Sequence, residues 1–342
     1  MERTQKLTKK IRTISMVIFH AIFIANIVHA MEKNEAIDKE FYIKSGGDDL
    51  YIKIRGQNIA NPILLFLHGG PGDHMGLLSF QAYAGPELEK HFVVGYLHQR
   101  GVCRSPSVSA SSLTIEHYLK DVDHVVAFLK EKFNKDKIFL LGHSFGGILG
   151  NMYLLKHEDN IEKFVSAGGA FSTISIDENG YNTVLQLAKK TNNQRAIERL
   201  KSLGPPPHET FQEGMVWRML GMSILGGMNE GILKNLQMSK VISVTGIARI
   251  EPEWQRKSMA IGNAMWSELN TIDIEEEVKK ISIPILIIAG AKDMFAPFKL
   301  MNKGYENYGG EKEYCILEKS NHMMFVDEPD LFVSKVKEFF QK

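Results

Sequence analysis

The sequence predicts an α/β fold, a mostly parallel sheet flanked by helices and carrying an inserted helical cap. Three observations predict it. Short, continuously apolar runs at 63–67, 138–141 and 283–289 read as strands buried on both faces of a sheet. The segment 113–133 between two of them places Ile115, Leu119, Val122, Val126, Leu129 and Phe133 on one helical face and Glu116, Lys120, Asp123 and Lys130 on the other. This strand–helix rhythm, the mark of parallel sheets, lapses from about residue 171 to 266 and then resumes.

The amino terminus stands apart. Arg3, Lys6, Lys9, Lys10 and Arg12 precede an apolar run over 14–28, and Val28-His29-Ala30 resembles a small-residue cleavage site. That layout predicts a signal peptide over 1–30 and an exported mature chain. The alternative is an amino-terminal membrane anchor, but a spanning helix wants about 20 apolar residues, and this run is shorter and holds His20 and Asn26. No N-x-[ST] sequon occurs, and no stable membrane span is expected in the mature chain.

Past this leader, 41–44 and 50–54 read as a hairpin joined through Gly46-Gly47-Asp48-Asp49 at a sheet edge. The strand 63–67 ends in His68-Gly69-Gly70-Pro71-Gly72, and 92–97 is the next buried strand. After the 113–133 helix comes the strand 138–141, then Gly142-His143-Ser144-Phe145-Gly146, then Ile148, Leu149, Met152 and Leu155 at helical spacing. A strand at 161–167 closes the first part of the core. The expected organisation is a first core part over 31–170, a helical cap over 171–266 cut by Gly204-Pro205-Pro206-Pro207, and a second core part over 267–342. The latter holds a strand at 283–289, a helix near 298–305, a strand at 313–317 and a final helix near 329–340.

The chain of 342 residues is 44% hydrophobic and 24% charged, with a formal net charge of +1 and two cysteines. No basic block supports nucleic-acid binding, and two cysteines make no disulfide framework. His68 and His74 lack companions at zinc-ligand spacing, so no metal is expected.

The segment 142–146 fits G-x-S-x-G, which lifts a serine hydroxyl onto a sharp strand-to-helix bend. A dinucleotide-binding turn would need glycine where Ser144 stands. A serine needs a base oriented by a carboxylate, on loops after later strands and in the order Ser, acid, His. Asp293 follows the strand 283–289, and His322 follows 313–317. Ser144, Asp293 and His322 are therefore the expected catalytic residues. The amides of Phe145 and Gly70 are the expected oxyanion donors, and Gly69 lies against the substrate. His143 reads as a hydrogen-bonded neighbour of the nucleophile. The reactivity of Cys103 is left open. Met215, Met219, Met222 and Met228 suit an adaptable cap lining or core filling.

These residues resemble the α/β-hydrolase superfamily, and within it the proline iminopeptidase-like branch. His68-Gly69-Gly70-Pro71-Gly72 matches that branch's HGGPG loop in full, and Ser144, Asp293 and His322 match its triad. His98-Gln99-Arg100-Gly101-Val102-Cys103-Arg104-Ser105 departs from its D-Q-R-G-x-G-x-S segment at His98 and Cys103. The resemblance implies a cap over the site, no cofactor, and release of an amino-terminal residue from small peptides. A carboxylesterase or amidase acting on small esters or amides is the alternative, and a non-catalytic ligand binder the distant one. An aminopeptidase must neutralise a substrate ammonium, for which Glu209 and Glu213 are candidates. Thr210-Phe211-Gln212-Glu213 equally fits a capping box.

Overall fold

The computed structural model describes residues 35–227, 235–247 and 251–342. The expected signal peptide and Met228 lie outside the described residues. Eight strands, β1 (Ile37–Ser45), β2 (Asp48–Gly56), β3 (Ile63–Leu67), β4 (Val93–Leu97), β5 (Ile138–His143), β6 (Ile161–Ala167), β7 (Ile285–Gly290) and β8 (Lys312–Leu317), form one sheet in the order β1-β2-β4-β3-β5-β6-β7-β8. β1 and β2 form the hairpin at the edge, with Gly46 and Gly47 both at positive φ in its turn. β2 pairs antiparallel with β4, and the remaining pairings are parallel. The five-residue strands β3 and β4 are buried throughout, as their unbroken apolar runs require.

Helices α1 (His74–Tyr83) and α2 (Gly85–Leu88) link β3 to β4, α3 (Ile115–Phe133) links β4 to β5, and α4 (Phe145–His157) links β5 to β6. The chain leaves β3 for β4 on one side, and β5 then pairs with β3 on the other. Strand order reverses there, the place where open α/β sheets leave a crevice.

α3 begins at Thr114, whose side chain accepts from the His117 amide, and ends at Asn134 in a left-handed conformation. Its apolar stripe is buried as expected, but Asp121 shares that stripe. The reason is Arg100, itself 1% exposed, which donates to Asp121 through Nε (2.9 Å) and Nη2 (2.5 Å) and also reaches Asp48. Ser45 Oγ donates to Asp121 at 2.5 Å, tying the hairpin to α3. Buried charge is tolerated only with this degree of pairing.

Among the described residues, five α-helices follow β6 before the core resumes: α5 (Thr173–Lys190), α6 (Gln194–Leu203), α7 (Phe211–Gly227), α8 (Met238–Thr245) and α9 (Pro252–Leu269). Gly204-Pro205-Pro206-Pro207 separates α6 from α7. Tyr181, Val184, Ala196, Leu200, Trp217 and Ile224 make a core of their own, which Met294 from the β7 loop completes. Met219 is 57% exposed, because α7 turns Trp217 and Ile224 inward instead. The chain ends with α10 (Phe298–Asn307), β8, α11 (Met324–Asp327) and α12 (Pro329–Gln341).

Candidate active site

Ser144 stands between β5 and α4 with φ 53° and ψ −121°. A non-glycine residue there carries about 1–3 kcal/mol of backbone strain, held by a tight surround. Its amide donates to Ala167 O (2.9 Å) and its carbonyl accepts from Gly147 N (2.8 Å). The glycines allow the close approach: a Cβ on Gly146 would lie 2.1 Å from Leu67 O, and one on Gly142 2.2 Å from Gly146 O. The bend therefore presses α4 directly onto the end of β3.

Asp293 follows β7 and His322 follows β8. His322 Nδ1 donates to Asp293 Oδ2 at 2.7 Å, while Asp293 Oδ1 accepts from the amides of Phe295 (2.8 Å) and Ala296 (3.0 Å). The carboxylate has no exposed surface. Burial pushes Asp293 up, but His322 and the two amides outweigh it and hold it below the ordinary carboxylate value. Burial likewise opposes the imidazolium of His322, yet the Asp293 carboxylate prevails, with help from Asp73, and raises it above ordinary histidine.

The pair packs against the backbone at the end of β6, whose Ala167 carbonyl holds the Ser144 amide. A Cβ on Gly168, next to the residue that holds the Ser144 amide, would lie 3.3 Å from the His322 ring and 3.5 Å from Asp293 Oδ2. His143 Nε2 donates to the His322 carbonyl at 2.9 Å, with the two rings 4.9 Å apart. Burial, aided by the charge of His322, pushes His143 down to about 4. It is a neutral strut for the His322 loop.

The loop after β3 closes the other side. A Cβ on Gly69 would sit 2.9 Å from Ser144 Cβ, so its backbone abuts the serine. Gly70 has φ +113°, and a Cβ there would lie 2.5 Å from Gly72 N. Among the described residues no hydrogen bond engages the amides of Gly70 or Phe145. The loop is braced from behind. His68 Nδ1 donates to Gly69 O (2.8 Å), and its Nε2 accepts from the amide of Gln99 (3.2 Å), whose side chain donates to His68 O (2.8 Å). His98 accepts from the Arg104 amide (3.2 Å) within the same buried support. Cys103 is buried in a left-handed conformation, and burial pushes its thiol far up, so it is no thiolate at neutral pH.

Glu209 and Glu213 do not join this cluster. Glu213 completes the capping box: the Thr210 amide donates to its carboxylate (3.0 Å), and Thr210 Oγ1 accepts from its amide (3.2 Å). Glu209 is exposed. Two charged groups unforeseen from the sequence act on His322 instead. Asp73, which caps α1 by accepting from Gly76 N (2.8 Å), raises both His322 and His143. Arg218 opposes it from α7, while donating to Asp177 Oδ1 at 2.6 Å and stacking on Trp217. Phe295 lies between, 5.9 Å from the Trp217 ring and 5.3 Å from His322. Asp73 directly follows the glycine-rich loop and was open to sequence reasoning. The Asp177–Arg218 pair spans 41 residues with no motif to announce it.

The arrangement has the parts of a hydrolase site: an elevated hydroxyl, a histidine–carboxylate pair and uncommitted amides. Comparison with known proteins agrees. A family model for the alpha/beta hydrolase fold matches residues 62–230. The chain is 25% identical over 314 residues to a Bacillus subtilis protein called probable aminopeptidase YbaC, covering 89% of this chain and 96% of that one. It is 26% identical over 311 residues to the proline iminopeptidase of Saccharolobus solfataricus, covering 89% and 93%. Among solved structures, an esterase from Exiguobacterium antarcticum shares the fold with a TM-score of 0.57 at 23% identity, covering 89% of this chain and all of that one. The chain has the α/β-hydrolase fold and is similar in sequence to proline iminopeptidases and a probable aminopeptidase over most of its length. It is a hydrolase of the aminopeptidase or esterase kind.

Proposed function

We propose that the protein is a serine aminopeptidase that releases the amino-terminal residue of small peptides through an acyl-enzyme, and that it works outside the cytoplasm once residues 1–30 are removed. The observation that carries the catalytic reading is the 2.7 Å His322–Asp293 hydrogen bond beside the Ser144 bend. Ser144 Oγ attacks the scissile carbonyl as His322 Nε2 takes its proton; the C–N bond then breaks, and the leaving amine receives that proton. Water, deprotonated by the same nitrogen, hydrolyses the ester and returns the hydrogen to Ser144. The amides of Gly70 and Phe145 hold the oxyanion in both steps. Asp293 keeps the imidazole in the tautomer that accepts at Nε2.

The peptide preference is supported by the relatives and by the complete HGGPG loop. A free substrate ammonium needs a counter-charge, and Asp73 supplies it better than Glu209 or Glu213. Its charge is felt by His322 and His143, whereas Glu213 is committed to its capping box. The test compares prolyl- and alanyl-arylamides with their N-acetylated forms in wild type, Asp73→Asn, Glu209→Gln and Glu213→Gln. Asparagine still caps a helix, so Asp73→Asn should raise KM for the free amines alone. If acetylated substrates or p-nitrophenyl esters are cleaved as well as free amines, the protein is a carboxylesterase or amidase. Failure of a fluorophosphonate to label Ser144 would leave only a ligand binder.

A further inference from the structure

We infer that Arg218 in the cap binds the free carboxylate of the leaving residue, so that the enzyme selects dipeptides and tripeptides over longer or carboxyl-blocked chains. The inference rests on the aminopeptidase reading above and names the substrate class of that same site. Arg218 lies on α7, and its guanidinium carbon stands 4.3 Å from the centre of the Trp217 ring. Trp217 is 5.9 Å from Phe295, and Phe295 is 5.3 Å from His322. One line of packed rings thus connects the guanidinium to the catalytic histidine.

The pairing of Arg218 is incomplete for a purely structural ion pair. Nη2 donates to Asp177 Oδ1 and Nη1 to the Gly214 carbonyl, each at 2.6 Å. A carboxylate that serves to neutralise an arginine frequently takes both prongs of its fork, and Asp177 takes one. Among the described residues the other N–H groups of Arg218, Nε included, have no protein partner. The arginine side chain is 21% exposed against 7% for Asp177, so the cation is the accessible member of the pair. Two neutral groups beside it are also uncommitted. Trp217 Nε1 and His208 Nε2 are buried without a hydrogen-bond partner, in residues 0% and 5% exposed. Trp217 lies under the guanidinium, and both Asp177 and Arg218 are felt at His208. Buried polar groups seldom go unpartnered. A guanidinium and an indole N–H can only donate, and a carboxylate can only accept.

The triad decides which carboxylate this is. His322 Nε2 passes its proton to the leaving amine, so the leaving residue lies on the histidine side of the scissile bond. In a dipeptide that residue carries the free carboxylate, a single carbon away from the amine. Asp73 on the β3 loop and Arg218 on the cap act on His322 with opposite sign. Two such fixed charges match a short zwitterion, its ammonium toward Asp73 and its carboxylate toward Arg218.

The experiment measures kcat and KM on prolyl-alanine, prolyl-alaninamide and longer prolyl-alanyl peptides, in wild type, Arg218→Gln and Arg218→Lys. Wild type should prefer the free dipeptide to its amide by about 10- to 100-fold in kcat/KM, carried by KM, as expected of charge-assisted hydrogen bonds. The preference should fade beyond the tripeptide. Arg218→Gln should bring the acid-to-amide ratio to about one, while Arg218→Lys keeps part of it, because an ammonium retains the charge without the fork. Since Arg218→Gln strips a buried Asp177 of its counter-charge, Arg218→Gln combined with Asp177→Asn gives the same reading in a neutral pair, with a melting curve to show folding. A merely structural arginine would alter KM for acid and amide alike. Equal cleavage of free and amidated dipeptide by wild type, or a ratio unmoved in the folded double variant, would overturn the inference. If free-amine arylamides stay preferred over N-acetylated ones in that event, the carboxylate reading fails alone. If esters or acetylated substrates are cleaved equally well, the aminopeptidase reading fails and takes this one with it.

Discussion

Replacing Asp293 by asparagine tests the site sharply, because the surroundings dictate how the amide must sit. In the wild type, Oδ1 accepts from two backbone amides and Oδ2 accepts from His322 Nδ1. Asparagine offers only one oxygen. Facing it to His322 would turn its NH₂ onto the amides of Phe295 and Ala296 and orphan both, at roughly 1–3 kcal/mol each. The cheaper orientation keeps the oxygen on those amides and aims the NH₂ at His322 Nδ1. That nitrogen must then accept, so the ring proton moves to Nε2, where it blocks transfer from Ser144. Turnover should fall by about 10⁴, or roughly 5.5 kcal/mol in activation free energy, as for other triads given the wrong tautomer. The assay is kcat on an arylamide or ester, alongside a melting curve to show that the fold survives. Activity within tenfold of wild type in a folded Asp293→Asn protein would refute the tautomer reasoning.

Three further outcomes are expected. His322 must be neutral to accept a proton and is raised by Asp293, so kcat/KM should rise with pH through a midpoint above about 6.5, the ordinary histidine value; a flat profile down to pH 4 contradicts this. The same raised value means that His322 contributes stability fully present below about pH 6.5 and lost as pH rises through its folded value. Gly69→Ala would thrust a methyl to 2.9 Å from Ser144 Cβ, displacing the neighbouring oxyanion donor and lowering kcat by about 10²–10³, with a melting temperature close to wild type. Amino-terminal sequencing of protein from the native host should find a start at Met31; a start at Met1 in a membrane fraction supports an anchor instead.

Much of this was legible in the chain because it depends on local rules. Unbroken apolar runs locate β3, β5 and β7, since a strand covered on both faces admits little else. The amphipathic stripe of α3 and its capping residues are equally local. The Ser144 bend is readable because it needs glycine at fixed offsets, and a strand end is where a parallel sheet can present Asp293 and His322. The tertiary structure decided what depends on partners distant in sequence. Asp121 reads as one more solvent-facing charge until Arg100, 21 residues earlier, folds onto it. Glu213 could have served either a cap or a substrate, and the short-range hydrogen bond to Thr210 took it. Asp73 and Arg218 bear on His322 only because the sheet brings the β3 loop and α7 to one corner. A charge acts through space over distances unrelated to sequence separation, so local pattern does not encode which charges His322 will feel.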